Sequence, residues 1–179
     1  MNKNSKYIFI GLLVIFLVMN ANKVNAAGNS LYDSLAAFLK KLEEDNKAAL
    51  TAYDDGEGTW TIGWGSVYNY DLNRPVQEGD TITQEQADNF LQIEASQDMD
   101  AVNQLVTVPI NNNQLIALSS FAYNEGPEAL KGSTLLKLLN SGSDLNTVAA
   151  EFDKWIYAKG HINQGLINRR KAEKSLFLS

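Results

Sequence analysis

The residues with the types and spacing to do chemistry lie close together. Glu43-Glu44-Asp45 closes an apolar helical pattern, and Asp54, Asp55 and Glu57 follow within the stretch Tyr53–Ser66, which also holds four glycines and two tryptophans. Two carboxylates across a cleft can split a glycosidic bond: one protonates the leaving oxygen while the other stabilises charge or activates water, and a separation of about 6.5–9.5 Å leaves room for that water. The acid has to hold its proton near neutrality, which a dry, apolar or negatively charged setting favours. Glu43, at a helix end after Leu42, is in that kind of position. Asp55, on a hairpin among backbone amides, suits the ionised partner, and the Thr61 hydroxyl on the same strand suits orientation of the water. The bland alternative is a surface hairpin with solvated charges.

The elements that must position these groups can be read from periodicity. Leu31, Leu35, Phe38, Leu39 and Leu42 give a helix from Leu31 to about Leu42. Glycines 56, 58, 63 and 65 permit tight turns, and Trp60–Trp64 alternates as a short strand does. A second hairpin or loop is expected between Asn69 and Asp80. Thr83-Gln84-Glu85-Gln86 has the form of a capping box, opening a helix to about Val106 with acidic residues on its outer face; Pro109 ends the segment. Further helices are expected over Asn111–Ala122, broken by Tyr123–Pro127, over Ser133–Leu139 and over Leu145–Tyr157. Trp155, Arg169 and Arg170 read as structural, the guanidiniums capping or bridging, and His161 as a solvated loop residue. The class is α+β.

Composition narrows the function. Met1–Ala26 has basic residues at Lys3 and Lys6, an apolar core from Tyr7 to Met19 and small residues at its end, the pattern of a secretory signal peptide; the core is shorter than the roughly 18–20 residues that span a bilayer. A retained membrane anchor is the competing reading. Removing the segment takes away Lys3, Lys6 and Lys23, so 15 basic residues become 12 against 21 acidic and the net charge falls from −6 to −9. Such a chain is repelled by nucleic acid and anionic membranes, and neither is expected as a partner. With no cysteine and one histidine, no thiolate zinc site or two-histidine metal site can form, and no metal or cofactor is expected.

Taken together, Ala52-Tyr53-Asp54-Asp55, Gly58, Trp60-Thr61-Ile62-Gly63-Trp64-Gly65, Asn113-Gln114, Ser120–Asn124, Gly126 and Gly165–Arg170 with Glu173 closely resemble the phage-type lysozymes, or endolysins (glycoside hydrolase family 24). The likeness runs from about Leu35 to Leu178. It implies a lysozyme-like fold in one domain, 27–179: a small N-terminal lobe with a β-hairpin (about 27–82), a long connecting helix (about 83–106) and a helical C-terminal lobe (about 107–179). It also implies muramidase action, hydrolysis of the β-1,4 bond between N-acetylmuramic acid and N-acetylglucosamine in peptidoglycan. The protein would be an exported, periplasmic or extracellular monomer.

The family's catalytic set is Glu, Asp and Thr, and Asp55 and Thr61 match the last two. Its Glu usually lies nine positions before the Asp, where this chain has Asn46. Counted from the helix, Glu43 takes that role with three extra residues before Tyr53, and Glu44 is the next candidate. Val67, Tyr123 and Thr134 match or lie near sugar-binding positions, although packing at a helix end accounts for Tyr123 equally well. Ser66 stands where the family commonly has His. Two rival readings stand beside the muramidase: a catalytically inactive peptidoglycan-binding homologue that has lost the acid, and a lytic transglycosylase, which would need neither Asp55 nor Thr61.

Overall fold

The computed structural model describes residues 26–43, 47–56 and 58–179. The segment read as a signal peptide, apart from Ala26, lies outside the described residues, as do Glu44, Asp45, Asn46 and Glu57.

Helix α1 (Ala26–Leu42) buries Leu35, Ala36 and Leu39 on one face, the i, i+4 spacing that anchors its C-terminal half and fixes where Glu43 emerges. Strands β1 (Ala49–Asp54) and β2 (Trp60–Gly63) form an antiparallel hairpin that pairs Tyr53 with Thr61 and Asp54 with Trp60. Its turn is held by Asp54, whose Oδ1 accepts the amides of Gly56 at 2.7 Å and Gly58 at 3.1 Å. Both glycines have positive φ, so the turn needs residues without a Cβ there. After β2 the chain folds back through Gly63-Trp64-Gly65, with Ile62 and Ser66 exchanging backbone hydrogen bonds at 2.8 and 2.9 Å.

The segment between Asn69 and Asp80 resolves the choice between hairpin and loop. It contains a hairpin, β3 (Tyr68–Asn69) with β4 (Arg74–Pro75), and Asp80 returns to Arg74 through two bonds of 2.7 and 2.8 Å. The predicted capping box opens α2 (Gln84–Leu105): Thr83 Oγ1 accepts from Gln86 N, and the Gln86 side chain accepts from Thr83 N. Its buried face carries the expected Ala87, Phe90, Leu91, Ala95, Met99 and Val102, but also Glu94 and Asp98. The acidic residues are therefore not confined to the outer face. Helix α3 (Asn112–Glu125) lies at the centre of the helical lobe, buried from Gln114 to Ala122, and packs on α2 and on the C-terminal helix. It runs three residues past Ala122, into the predicted break, and stops at Gly126 with φ 95°; Asn124 and Glu125 in this added turn both find Arg170 as a partner.

Helices α4 (Pro127–Gly132), α5 (Thr134–Asn140) and α6 (Leu145–Ala150) follow. The helix expected to reach Tyr157 stops at Ala150; a 3₁₀ turn, Phe152–Lys154, and a small hairpin, β5 (Tyr157–Ala158) with β6 (His161–Ile162), replace its second half. That arrangement lets Phe152 and Trp155 both meet the Phe121 ring edge-on, at 5.7 and 5.0 Å. His161 is exposed, as expected, but belongs to β6. The last helix, α7 (Gln164–Phe177), has no counterpart in the periodicity reading. Its buried residues are Arg169, Arg170, Glu173 and Phe177, and a face that is three-quarters ionisable carries no apolar stripe to detect.

The molecule is α+β: a small lobe of hairpins, the 22-residue α2 and a helical lobe. Among the described residues, no helix is long and apolar enough to cross a membrane.

Candidate active site

Glu43 follows directly on α1 and opens into a cleft of about 310 Å³ lined by Glu43, Lys47, Ala49, Tyr53, Gly63, Trp64 and Gly65. Its carboxylate is held from behind by α7: Arg169 Nη2 donates to Glu43 Oε1 at 2.5 Å. The Arg169 side chain is only 8% exposed and that of Glu43 31%, so the pair presents the carboxylate to the cleft and keeps the guanidinium inside. The sequence suggests a capping or bridging role for Arg169; in the fold it is the counter-ion of the candidate acid, so Glu43 sits in an ion pair at the cleft and not in the dry, apolar or negatively charged setting expected of it. No local signal marks it, since 126 residues separate the partners.

Asp55 and Thr61 meet through the backbone of Thr59. The Thr59 amide donates to Asp55 Oδ1 at 3.2 Å, while Thr59 O accepts from Asp55 N at 3.1 Å and from Thr61 Oγ1 at 3.4 Å. Asp55 is half-buried and Thr61 buried. Tyr53, cross-strand partner of Thr61, ties this group to Glu43. Burial raises the pKa of its phenol, and the carboxylates of Glu43 and Asp55 raise it further. Of these residues Glu43 and Tyr53 line the cleft, whereas Asp55 and Thr61 are not among its lining residues and lie behind Tyr53 on the hairpin.

Beneath the cleft floor, the Tyr123 hydroxyl donates to Trp64 O at 2.9 Å, linking α3 to the turn after β2. Its pKa is raised well above the usual value, first by burial, then by Glu94, Glu43 and Asp98, with Arg169 opposing. Trp64 is fixed from outside as well, its Nε1 donating to Asp88 at 2.7 Å and the Lys40 ammonium lying 5.2 Å from its ring centroid. Ser66 Oγ lies 2.7 Å from Glu94 Oε1 and 2.8 Å from Tyr68 O, and its single proton serves one of them at a time. A neutral hydroxyl therefore stands beside a buried carboxylate on α2. Of the other two positions expected to contact sugar, Val67 is buried and Thr134 is exposed at the first turn of α5; neither lines this cleft. Among the described residues, no group of three His, Asp or Glu side chains is placed to hold a metal.

The family model described as phage lysozyme matches residues 44–173. The chain belongs to the phage lysozyme family. It is similar to the endolysin of Acyrthosiphon pisum secondary endosymbiont phage 1, 42% identical over 134 residues that make up 73% of this chain and 87% of that protein. It is similar to the SAR-endolysin of Escherichia phage N15, 33% identical over 75% of this chain and 80% of the relative. Among solved structures, a mutant of P22 lysozyme superposes with a TM-score of 0.67 at 36% identity, covering 82% of this chain and 96% of that one. The protein is thus a lysozyme-type glycoside hydrolase of the endolysin class, a peptidoglycan muramidase. The hairpin lobe, long helix and helical lobe expected from the sequence are those of its family.

Proposed function

We propose that this phage-type lysozyme is an exported muramidase that hydrolyses the β-1,4 bond between N-acetylmuramic acid and N-acetylglucosamine. In this reading Glu43 protonates the leaving oxygen, Asp55 is the ionised partner and Thr61 orients the attacking water. The supporting observation is that Glu43, gripped by buried Arg169, lines one cleft with Tyr53, which is the cross-strand partner of Thr61 and lies two residues before Asp55. Catalysis of this kind depends on fixed donors and acceptors more than on mobile ones. Tyr123 supports the cleft from below through Trp64, and Val67 and Thr134 are kept as secondary sugar contacts on the strength of family position.

Export rests on the signal-like Met1–Ala26 and on similarity to proteins named SAR-endolysins. The mature lysozyme-like domain would be 27–179, acting as a monomer in the periplasm or outside the cell, without cofactor.

The test is to express Ala27–Ser179, digest purified peptidoglycan and count new reducing ends beside Glu43→Gln, Glu44→Gln and Asp55→Asn. Wild-type enzyme should release reducing ends, and Glu43→Gln and Asp55→Asn should release almost none. Full activity in Glu43→Gln with loss in Glu44→Gln would move the acid by one residue. Fractionation of cells expressing the full chain, with N-terminal sequencing of the product, tests export.

A further inference from the structure

The hairpin β5–β6 in the helical lobe reaches back to the small lobe. At its tip Lys159 Nζ donates to Gly56 O at 3.0 Å, a contact between residues 103 apart that lands in the turn carrying Asp55. The tip is a two-residue loop, Lys159-Gly160, closed by the pair Ala158 and His161, with φ of 53° and 77°. Both central residues of such a loop need positive φ, a conformation that glycine, asparagine or aspartate adopts at lower cost than lysine. Lysine therefore occupies a position that its backbone disfavours, and its ammonium makes the cross-lobe bond. Strain of this kind persists where surrounding structure fixes it, and it concentrates at functional sites.

We infer that Lys159 is a positioning residue: its bond to Gly56 clasps the helical lobe to the Asp54–Thr59 turn and holds Asp55 at its working distance from Glu43. The inference rests on the catalytic roles given to Glu43 and Asp55. The two carboxylates sit on separate supports, Glu43 on α1 with Arg169 of α7 behind it, and Asp55 on a turn shaped by bonds between residues 54 and 59. Bonds internal to the turn do not set its distance from the helical lobe. The Lys159 contact crosses that gap.

The experiment uses the full chain purified in non-denaturing detergent, with Lys159→Met, Lys159→Arg and Lys159→Gly. Reducing-end kinetics on peptidoglycan, thermal unfolding and amide exchange at Thr59 are measured for each. Lys159→Met and Lys159→Gly should lower kcat by about tenfold, as a small misplacement of a reacting group does, with KM changed less than about twofold and Tm held. Glycine relieves the positive φ, so its variant should be at least as stable as wild type and yet as slow as the methionine variant. Arginine, which can still reach the carbonyl, should restore most of kcat. Thr59 exchange should quicken in Met and Gly and return towards wild type in Arg. Wild-type kcat in Lys159→Gly, or unchanged Thr59 exchange in Lys159→Met, would overturn the clasp. A wild-type protein without turnover would overturn the assigned roles of Glu43 and Asp55 instead, and the exchange data would still decide the clasp.

Discussion

Arg169 and Glu43 form a monodentate ion pair: Nη2 carries the bond to Oε1, and Nη1 is buried with no hydrogen-bond partner among the described residues. One end of the pair is inside the helical lobe and the other is at the cleft, so the guanidinium acts as the back wall of the candidate acid. Arg169→Met should lower kcat on the order of 100-fold by releasing the carboxylate from its working geometry. Because only one nitrogen engages, Arg169→Lys should retain more activity than Met, which would not hold at a bidentate site. Reducing-end kinetics on both variants checks the order.

The turn before Thr59 makes a second prediction. Asp54 Oδ1 gathers the amides of Gly56 and Gly58, and the neighbouring Asp55 depends on that shape. Asp54→Asn keeps an acceptor and should stay near wild-type rate. Asp54→Ala should lose about 1 kcal/mol of stability, as lost hydrogen bonds of this type do, and should lower kcat. Urea unfolding beside kinetics separates the two effects.

Local chemistry and long-range pairing differ in how legibly they are written in the chain. The β1–β2 hairpin, the capping box at Thr83 and the apolar run in α3 are readable because glycine, capping side chains and hydrophobic period each report local structure. Helix α7 is not, because its buried face is Arg169, Arg170 and Glu173, whose burial is made tolerable by partners on other elements. Glu94 and Asp98 on α2 are the same case. Asp55 and Thr61 can be singled out from their own hairpin, whereas the counter-ion of Glu43 emerges only once the chain has folded. Periodicity sees neighbours along the chain and misses charge pairs made across it.

Ser66 beside Glu94 gives a third prediction. Ser66→Ala removes a donor 2.7 Å from Glu94 Oε1, an atom that the Tyr70 hydroxyl approaches less closely, at 3.3 Å. Stability should fall by about 1–3 kcal/mol, the usual penalty for taking a partner from a buried polar group. The kcat of the folded enzyme should hold, since the bond faces α2 rather than the cleft. Denaturant unfolding with activity measured below the transition checks both halves.

Glu173 predicts a pH dependence of stability. It is fully buried, accepts from Ser120 Oγ at 2.7 Å and pairs with Arg170 Nε at 2.9 Å. Burial outweighs these partners and raises its pKa from 4.5 to about 7. The sign follows from proton counting. Between those two values the folded chain holds a proton that the unfolded chain has lost, so stability falls as pH rises through the window. Below about pH 4.5 the contribution is fully present, and above about pH 7 it is gone, a loss of a few kcal/mol at about 1.36 kcal/mol per pKa unit. Glu173→Gln removes the titration. Its stability should therefore gain on wild type as pH goes from about 5 to about 8, even if the variant is less stable at the lower pH. Urea unfolding of both proteins at several pH values reads the difference directly, and a constant gap would show that Glu173 binds no extra proton on folding. Because Arg170 also bonds Asn124 and Glu125, this group ties α7 to the end of α3, one residue along from the arginine that holds Glu43. Activity should consequently decline less steeply with pH than stability does, as long as the enzyme is assayed well below its unfolding transition.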